Sequence, residues 1–493
     1  MSLKRNQKIV FSNDLLYHGN TKDAVPHGRG QLTTPYSCFV GKWKNGLQDG
    51  KGILNLTLNN IFFIGGDSGS DEKNPFCSFY FISKDWKTHK LPSCLYPRSV
   101  GTLIFKDHYF YYVGGFNGNR SVPYVERFDI IDGTWENLCP LIDRRASFSS
   151  FVYESEIYVC GGVMGLVAHK SIEKYDSKQN KWIVFGSMFS NRIGFTTQIW
   201  NHKCYIFGGK NESKTSLPLE VFDLKTKKSN IYTNIVQPYT SSASILIMVN
   251  QKPCIFIAGG CKKEGAHMKV TDKVFLYSIE ENTLNQIASL NIRRNYSSLV
   301  MFNNELYCIG GHDENINARL PLEKYNFSDD RWEIQEIIPL SMCGSAFFSV
   351  ENHNITLNGK WKCNKLHGKG VIQMNERRIE GKYVNGKKEG FFNDVFYVKN
   401  IPVSYQDLIW ENKIKKIKNI PDHFKCPISL EIMNNPVIIE SGITFEKKNI
   451  EEWFLHHNTC PITRKIVRSI SIPNIVLKGM IRDFTEKKCT KSY

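Results

Sequence analysis

The sequence predicts a mostly β protein: an array of four-stranded units, bracketed by glycine-rich hairpins and ended by a small α+β module. Three observations predict it. A Gly-Gly pair follows an apolar run six times at a nearly constant period. A second glycine pattern stands on both sides of that array, and from Ile420 the texture changes to a short module with two cysteines in its core and a helix-like stretch.

The array comes first, because repeats decide the fold. The pairs end at Gly66, Gly115, Gly162, Gly209, Gly260 and Gly311, with spacings of 49, 47, 47, 51 and 51 residues. After each pair come a polar loop and a strand with acidic and aromatic residues, as in Val125-Glu-Arg-Phe-Asp129 and Ile172-Glu-Lys-Tyr-Asp176. A tryptophan follows in four units (Trp86, Trp135, Trp182, Trp332), and Arg98, Arg145, Arg192 and Arg294 stand at a fixed distance ahead of the next glycine pair. Paired glycines permit positive φ in a crowded turn, and a tryptophan fills the gap between neighbouring small sheets. In the fifth unit Leu284 sits near the tryptophan position, and counting back from its glycines puts Ala243 where the others have arginine. Ser345–Val350 looks like the strand that opens a unit, yet no seventh Gly-Gly follows. It is expected to pair with Asn60–Ile64, tying the end of the array to its start and removing exposed sheet edges.

The units resemble the kelch repeat. That resemblance implies a six-bladed β-propeller over 57–350, one four-stranded blade per repeat. The four arginines then have two readings, substrate-binding residues on one rim or anchors of strand starts.

The flanking pattern is Phe39-Val-Gly41-Lys-Trp43, Gly46, Gly50 and Gly52, matched by Leu357-Asn-Gly359-Lys-Trp361, Asn364, Gly368 and Gly370. Weaker copies precede and follow, at Gly19, Gly28, Gly30 and at Gly381, Tyr383, Gly386, Gly390. These resemble MORN repeats, which form stacked β-hairpins, in two pairs over 1–56 and 351–400. A pair alone is a marginal sheet. If the propeller closes, its ends lie side by side and all four copies can form one sheet from which the propeller is an insertion. The resemblance leaves membrane lipid contact as one role for these repeats and a platform for the propeller as the other.

A basic stretch, 401–418, reads as a linker. Beyond it, 419–493 contains Phe-Lys-Cys426-Pro-Ile428-Ser-Leu, then Pro-Val437, then a helix-like stretch from Lys447 to His457 with Ile450, Trp453, Phe454 and His457 on one face. Thr-Cys460-Pro461-Ile-Thr-Arg464, Ile472-Pro-Asn474 and a second helix with Leu477 and Ile481 complete it. This module resembles the U-box, a RING-like fold without zinc, along its whole length. Two zinc sites would need about eight Cys/His ligands. Cys426, Cys460, His456 and His457 lack paired-ligand spacing, so neither a metal nor another cofactor is expected, and nothing marks either thiol as a nucleophile.

The resemblance implies noncovalent catalysis. A U-box docks an E2 ubiquitin-conjugating enzyme on two loops and the central helix; Ile428, Pro461 and Trp453 match the apolar contact positions. Arg464 matches the linchpin position, where a cation bridges E2 and the ubiquitin tail; arginine's fork of donors suits that bridging. Phe445, Lys447 and Asn435 stand where the family usually has tyrosine, arginine and an acid. The function so implied is an E3 ubiquitin-protein ligase whose propeller holds an unidentified protein substrate, with E2 and ubiquitin as partners and homodimerisation open. The alternative is a non-catalytic scaffold or adaptor with an inactive U-box; Ile428, Pro461 and Arg464 argue against it. A propeller enzyme, as among oxidase relatives of kelch proteins, would need a metal-ligand or carboxylate cluster that the repeats do not display.

Composition narrows the rest. Forty-one per cent hydrophobic and 23% charged residues describe a folded chain. The N-terminus carries no continuous apolar stretch and no apolar run approaches the length of a membrane helix. Fourteen scattered cysteines without a CxxC pair read as reduced thiols, giving a cytoplasmic expectation. The net charge of +17 is spread along the chain without a nucleic-acid-binding motif, so no specific nucleic acid is expected as a partner.

Overall fold

The computed structural model describes residues 3–12, 15–67, 77–212, 216–236, 239–264, 267–335, 343–374, 377–392, 395–398, 401–403, 421–431, 433, 436–467, 471–473 and 477. The chain divides into two compact units, Met1–Pro402 and Val403–Tyr493. Most of the basic stretch, Asn435, Asn474 and Ile481 lie outside the described residues.

Five free-standing four-stranded antiparallel sheets follow one another in a propeller arrangement. One runs Thr102–Lys106, Tyr109–Val113, Val125–Asp129 and Thr134–Asn137, each strand hydrogen-bonded to the next. The expectation of six blades is corrected to five. The strands assigned to the first blade are not a sheet of their own, because the chain does not break between that blade and the flanking hairpins. Instead β1 (Leu47–Asp67) and β2 (Cys343–Lys362) run on from hairpin to propeller without interruption. They pair along their length, Ser345 with Gly65 and Val350 with Asn60 at one end, Leu357 with Leu54 and Gly359 with Gly52 at the other. Phe79–Ile82 and Thr88–Leu91 extend the β1 side. The result is a 13-stranded sheet in which both flanks are joined across β1 and β2.

That sheet also completes the ring. Backbone hydrogen bonds pass around the axis: Val100 N–H to the Gly344 carbonyl (3.0 Å), Ser147 to Val100 (3.3 Å), Gly194 to Ser147 (2.9 Å), Ser241 to Gly194 (2.6 Å) and Tyr296 to Ser241 (3.2 Å). All six residues have positive φ, from 45° to 64°. They rim an axial cavity of about 130 Å³. The twelve glycines of the six Gly-Gly pairs are likewise at positive φ. At Gly65 a Cβ would stand 2.4 Å from the Tyr112 hydroxyl and 2.6 Å from the Arg98 carbonyl, so neither the conformation nor the space admits another residue.

Tryptophans staple successive blades. Trp135, Trp182 and Trp332 donate their indole N–H to the carbonyls of Pro92 (2.7 Å), Cys139 (3.1 Å) and Ala288 (3.1 Å), each in the preceding unit. Trp86 packs edge-on against Phe302 and Tyr307 of the last blade, across the closure. The hairpin sheet shares its core with the propeller: Tyr17, Phe39, Trp43, Trp361 and Tyr383 belong to one buried cluster with Phe62, Phe79 and Phe110.

Candidate functional site

Two loops of the second unit have the same sequence frame and the same geometry. Cys426-Pro-Ile-Ser-Leu430 and Cys460-Pro-Ile-Thr-Arg464 each close with the fifth residue's N–H on the cysteine carbonyl, at 2.8 and 2.9 Å. The fifth residue is left-handed in both, φ 59° at Leu430 and 57° at Arg464. Each loop is also tied back by its cysteine N–H, Cys426 to the Glu431 carbonyl (2.8 Å) and Cys460 to the Lys465 carbonyl (2.9 Å). The turn leaves the Arg464 side chain exposed.

A buried sulfur anchors each loop. Cys426 Sγ accepts the Glu446 backbone N–H (3.3 Å) and the Asn449 side-chain amide (3.4 Å); Cys460 Sγ accepts the Ser441 hydroxyl (3.3 Å) and the Thr463 N–H (3.5 Å). Burial pushes both thiols up, and these hydrogen bonds outweigh it. The Cys426 thiol lies below its ordinary range, and the Cys460 thiol is brought down to about 7. Sulfur-centred hydrogen bonds thus hold both loops in place.

Between them lies helix α1 (Lys447–His456), where a stretch to His457 was expected. Ile450 is buried with Phe424, Met433, Val437 and Phe445 in the core of this unit. Trp453 is half-buried against that core; its indole N–H donates to the Thr459 carbonyl (2.7 Å) and its ring stacks on His457 at 4.0 Å. It therefore fastens the helix to the second loop, two residues before Pro461. Ile428 is 39% exposed on the first loop, and Pro461 is half-buried on the second. Leu430, Ile462 and Ile466 are exposed apolar side chains on these same loops that the sequence reading passed over. The repeated Cys-Pro-Ile frame was the signal that would have marked Ile462 as the counterpart of Ile428.

The repeated arginines are corrected from the substrate-binding reading. Arg98, Arg145, Arg192 and Arg294 have no exposed surface and cannot touch a macromolecule on the rim. Each guanidinium is ion-paired to a buried glutamate on the third strand of the sheet that follows it: Glu126, Glu173, Glu220 (3.4 Å) and Glu323 (2.7 Å). Each also donates to a glycine carbonyl of the Gly-Gly turn, Gly114 and Gly161 at 2.8 Å among them. The glutamates in turn accept backbone N–H groups of the preceding loop, as Glu173 does from Ile142 (2.8 Å) and Asp143 (3.2 Å). They anchor strand starts.

The fifth unit replaces both members of this pair. The Gly209 N–H finds the carbonyl of Tyr239, as Gly162 finds that of Arg192 and Gly260 that of Arg294, so Tyr239 and not Ala243 occupies the arginine place. Phe275 pairs with Ile257 where Glu220 pairs with Ile206 in the blade before, and the Tyr239 and Phe275 rings lie 6.2 Å apart. Counting back from the glycines fails here because Tyr239 stands 20 residues ahead of Gly259, whereas each arginine stands 16 ahead of its glycine.

Comparison with known proteins places two family matches on this geometry. Residues 420–490 match the U-box domain, and residues 110–337 match the Attractin/LZTR1 beta-propeller. U-box domain-containing protein 20 of Arabidopsis thaliana is 49% identical over 65 residues, covering 13% of this chain and 15% of its own length. E3 ubiquitin-protein ligase SPL11 of Oryza sativa subsp. japonica is 48% identical over 69 residues, 14% of this chain and 10% of its own. A probable bifunctional E2/E3 enzyme of Acanthamoeba polyphaga mimivirus is 43% identical over 75 residues, 15% of this chain and 6% of its own. This chain therefore spans a small fraction of each of these relatives.

Proposed function

We propose that this chain is an E3 ubiquitin-protein ligase of the U-box class. Its C-terminal module docks an E2 charged with ubiquitin, and the N-terminal unit holds the protein to be modified. The observation that carries this reading is the pair of matched loops. Both are fixed by buried sulfur acceptors, and they offer Ile428, Ile462 and Arg464 to solvent beside Trp453. A shallow apolar patch beside exposed cations suits a transient partner.

In the transfer step a substrate lysine amine attacks the carbonyl of the E2–ubiquitin thioester. An isopeptide bond forms, the E2 cysteine leaves as thiolate, and the lysine gives up a proton. No covalent intermediate on this chain is needed. Ile428, Pro461 and Trp453 hold the E2, while Arg464 hydrogen-bonds E2 and the ubiquitin tail together, favouring the folded-back geometry in which the thioester is attacked. Substrate capture on a kelch-type propeller braced by MORN-type hairpins completes the reading. The buried arginines take no part in it, so capture falls to exposed loops and faces.

The test is autoubiquitination with purified chain, activating enzyme, a panel of E2s and ubiquitin. Ile428→Ala and Arg464→Ala are each expected to reduce the rate by about tenfold or more, a loss of roughly 1.4 kcal/mol or more in transition-state stabilisation. Unchanged melting temperatures are expected, since both side chains are exposed. A folded wild-type chain inactive with every E2 would turn the reading to a scaffold.

A further inference from the structure

The 13-stranded sheet carries a line of glycines across seven neighbouring strands: Gly19, Gly30, Gly41, Gly52, Gly359, Gly370 and Gly381 stand in register. They face inward: the Tyr17 ring folds over Gly19 and Gly30, the Phe39 ring over Gly41 and Gly52, and Leu366 over Gly359 and Gly370. Side chains alternate across a strand, so the residue beside each glycine points outward. On six successive strands that residue is a cation: Arg29, Lys42, Lys51, Lys360, Lys369 and Lys382.

Register makes them neighbours. Arg29 is opposite Lys42, Lys51 opposite Lys360, and Lys369 opposite Lys382, while small bulges beside the glycine pairs separate the remaining two steps. All six are exposed, and among the described residues none is in an ion pair. Like charges on adjacent strands are unfavourable. At about 4.8 Å per strand the line extends roughly 24 Å. The acids near it are few: Asp49 on β1, Glu380 already paired with Arg378, and Glu389 opposite Lys382 at the far end.

We propose that this stripe is a docking surface for an extended acidic segment of a partner protein. Charge complementarity sets the sign of the ligand, and the shape of the stripe sets its kind. Adjacent strands turn by about 20–25°, so the line rotates through roughly 100–125° over its length. A flat anionic membrane meets only part of such a twisted line, whereas a flexible acidic chain follows it. Exposed apolar neighbours on this face include Val40, Leu47 and Ile53, which are aliphatic. Single-stranded nucleic acid is ordinarily gripped by aromatic rings that stack on bases, and these neighbours offer none. Aliphatic side chains beside lysines instead suit an acidic segment with interspersed apolar residues. This surface stands apart from the ligase reading, because its test is binding and uses no E2.

The test uses the full chain and a fluorescein-labelled 16-residue peptide of alternating glutamate and leucine or serine, read by anisotropy. Two variants of equal net charge are compared: K42E/K51E/K360E/K369E on the stripe and K178E/K181E/K225E/K228E on the propeller. The stripe variant is expected to lose about tenfold or more in affinity and the propeller variant less than about twofold, with wild-type binding weakening steeply as salt rises. If the stripe variant fails to fold, lysine-to-glutamine changes at the same four positions are expected to give the same loss. Equal losses in the two variants would overturn the proposal by making the attraction diffuse. Stripe-dependent binding of phosphatidylserine vesicles or of a single-stranded oligonucleotide, without binding of the peptide, would overturn it in favour of that ligand.

Discussion

Arg192 has no exposed surface, and its charge is offset by Glu220 at 3.4 Å and by carbonyls of Gly208 (2.8 Å) and Pro218 (2.7 Å). Burial pulls the guanidinium below its usual range, against the pull of Glu220. A buried ion pair gives little net stability, but removing one partner strands the other. Arg192→Met is therefore expected to destabilise the N-terminal unit by about 3–5 kcal/mol, measured as a drop in its thermal midpoint. The next blade shows the apolar alternative, Tyr239 against Phe275. Installing it as Arg192→Tyr with Glu220→Phe is expected to recover part of the loss and not all, because Glu220 also accepts the Phe189 N–H (2.5 Å) and the Ser229 hydroxyl (2.7 Å). At this scale the sequence was half informative. Periodicity showed that an arginine recurs, but a conserved spacing looks the same whether the side chain faces solvent or a turn of its own sheet. Only the four partner glutamates, part of the acidic strand signal, separate the two, and an acid in a strand pattern marks the strand without naming its partner.

Single elements were more legible, because backbone demands appear directly in residue type. Every Gly-Gly pair sits at positive φ, as a tight turn after an inner strand requires. Asn364, where a glycine was expected, adopts φ 64°, and its side-chain oxygen accepts the Gln48 N–H at 2.6 Å. The flanking glycines that stand in register across the sheet carry a different demand, space and not φ. A Cβ at Gly52 would meet Phe39 Cζ at 2.4 Å and Gly41 Cα at 3.3 Å. Gly52→Ala is accordingly expected to cost about 1–3 kcal/mol through overpacking, and pairing it with Phe39→Leu, which shortens the obstructing side chain, should return part of that in the thermal midpoint. The hairpin pattern could be read from glycine spacing, but the outward cations could not. Their line depends on the register between β1 and β2, strands nearly 300 positions apart in the chain, and no local pattern fixes such a register.

At the scale of the molecule the seam between β1 and β2 decides how the N-terminal unit behaves. It joins the first and last parts of that unit in one ladder, so a single pairing closes the propeller ring and fuses the two flanks. The sequence foretold the pairing of Ser345–Val350 with Asn60–Ile64, because an opening strand without its own glycine pair needs a partner. It did not foretell that β1 and β2 would continue unbroken into the hairpins, which is why one expected blade became part of a larger sheet. Ring closure over such a separation carries a large loop entropy cost, so blades and flanks are expected to be stable only together. Proline at Phe348, opposite Phe62 in the ladder, removes a backbone donor from the middle of the seam. Hydrogen exchange on Phe348→Pro should show protection lost along both long strands and in the two blades that meet there, with Trp86 freed from Phe302 and Tyr307 and its fluorescence changed. The module beyond Val403 is a separate compact unit with its own buried core. Its exchange pattern, and its discharge of a charged E2 onto free lysine, should be unchanged in the same variant. Loss of that discharge together with the propeller would mean that the two units fold as one.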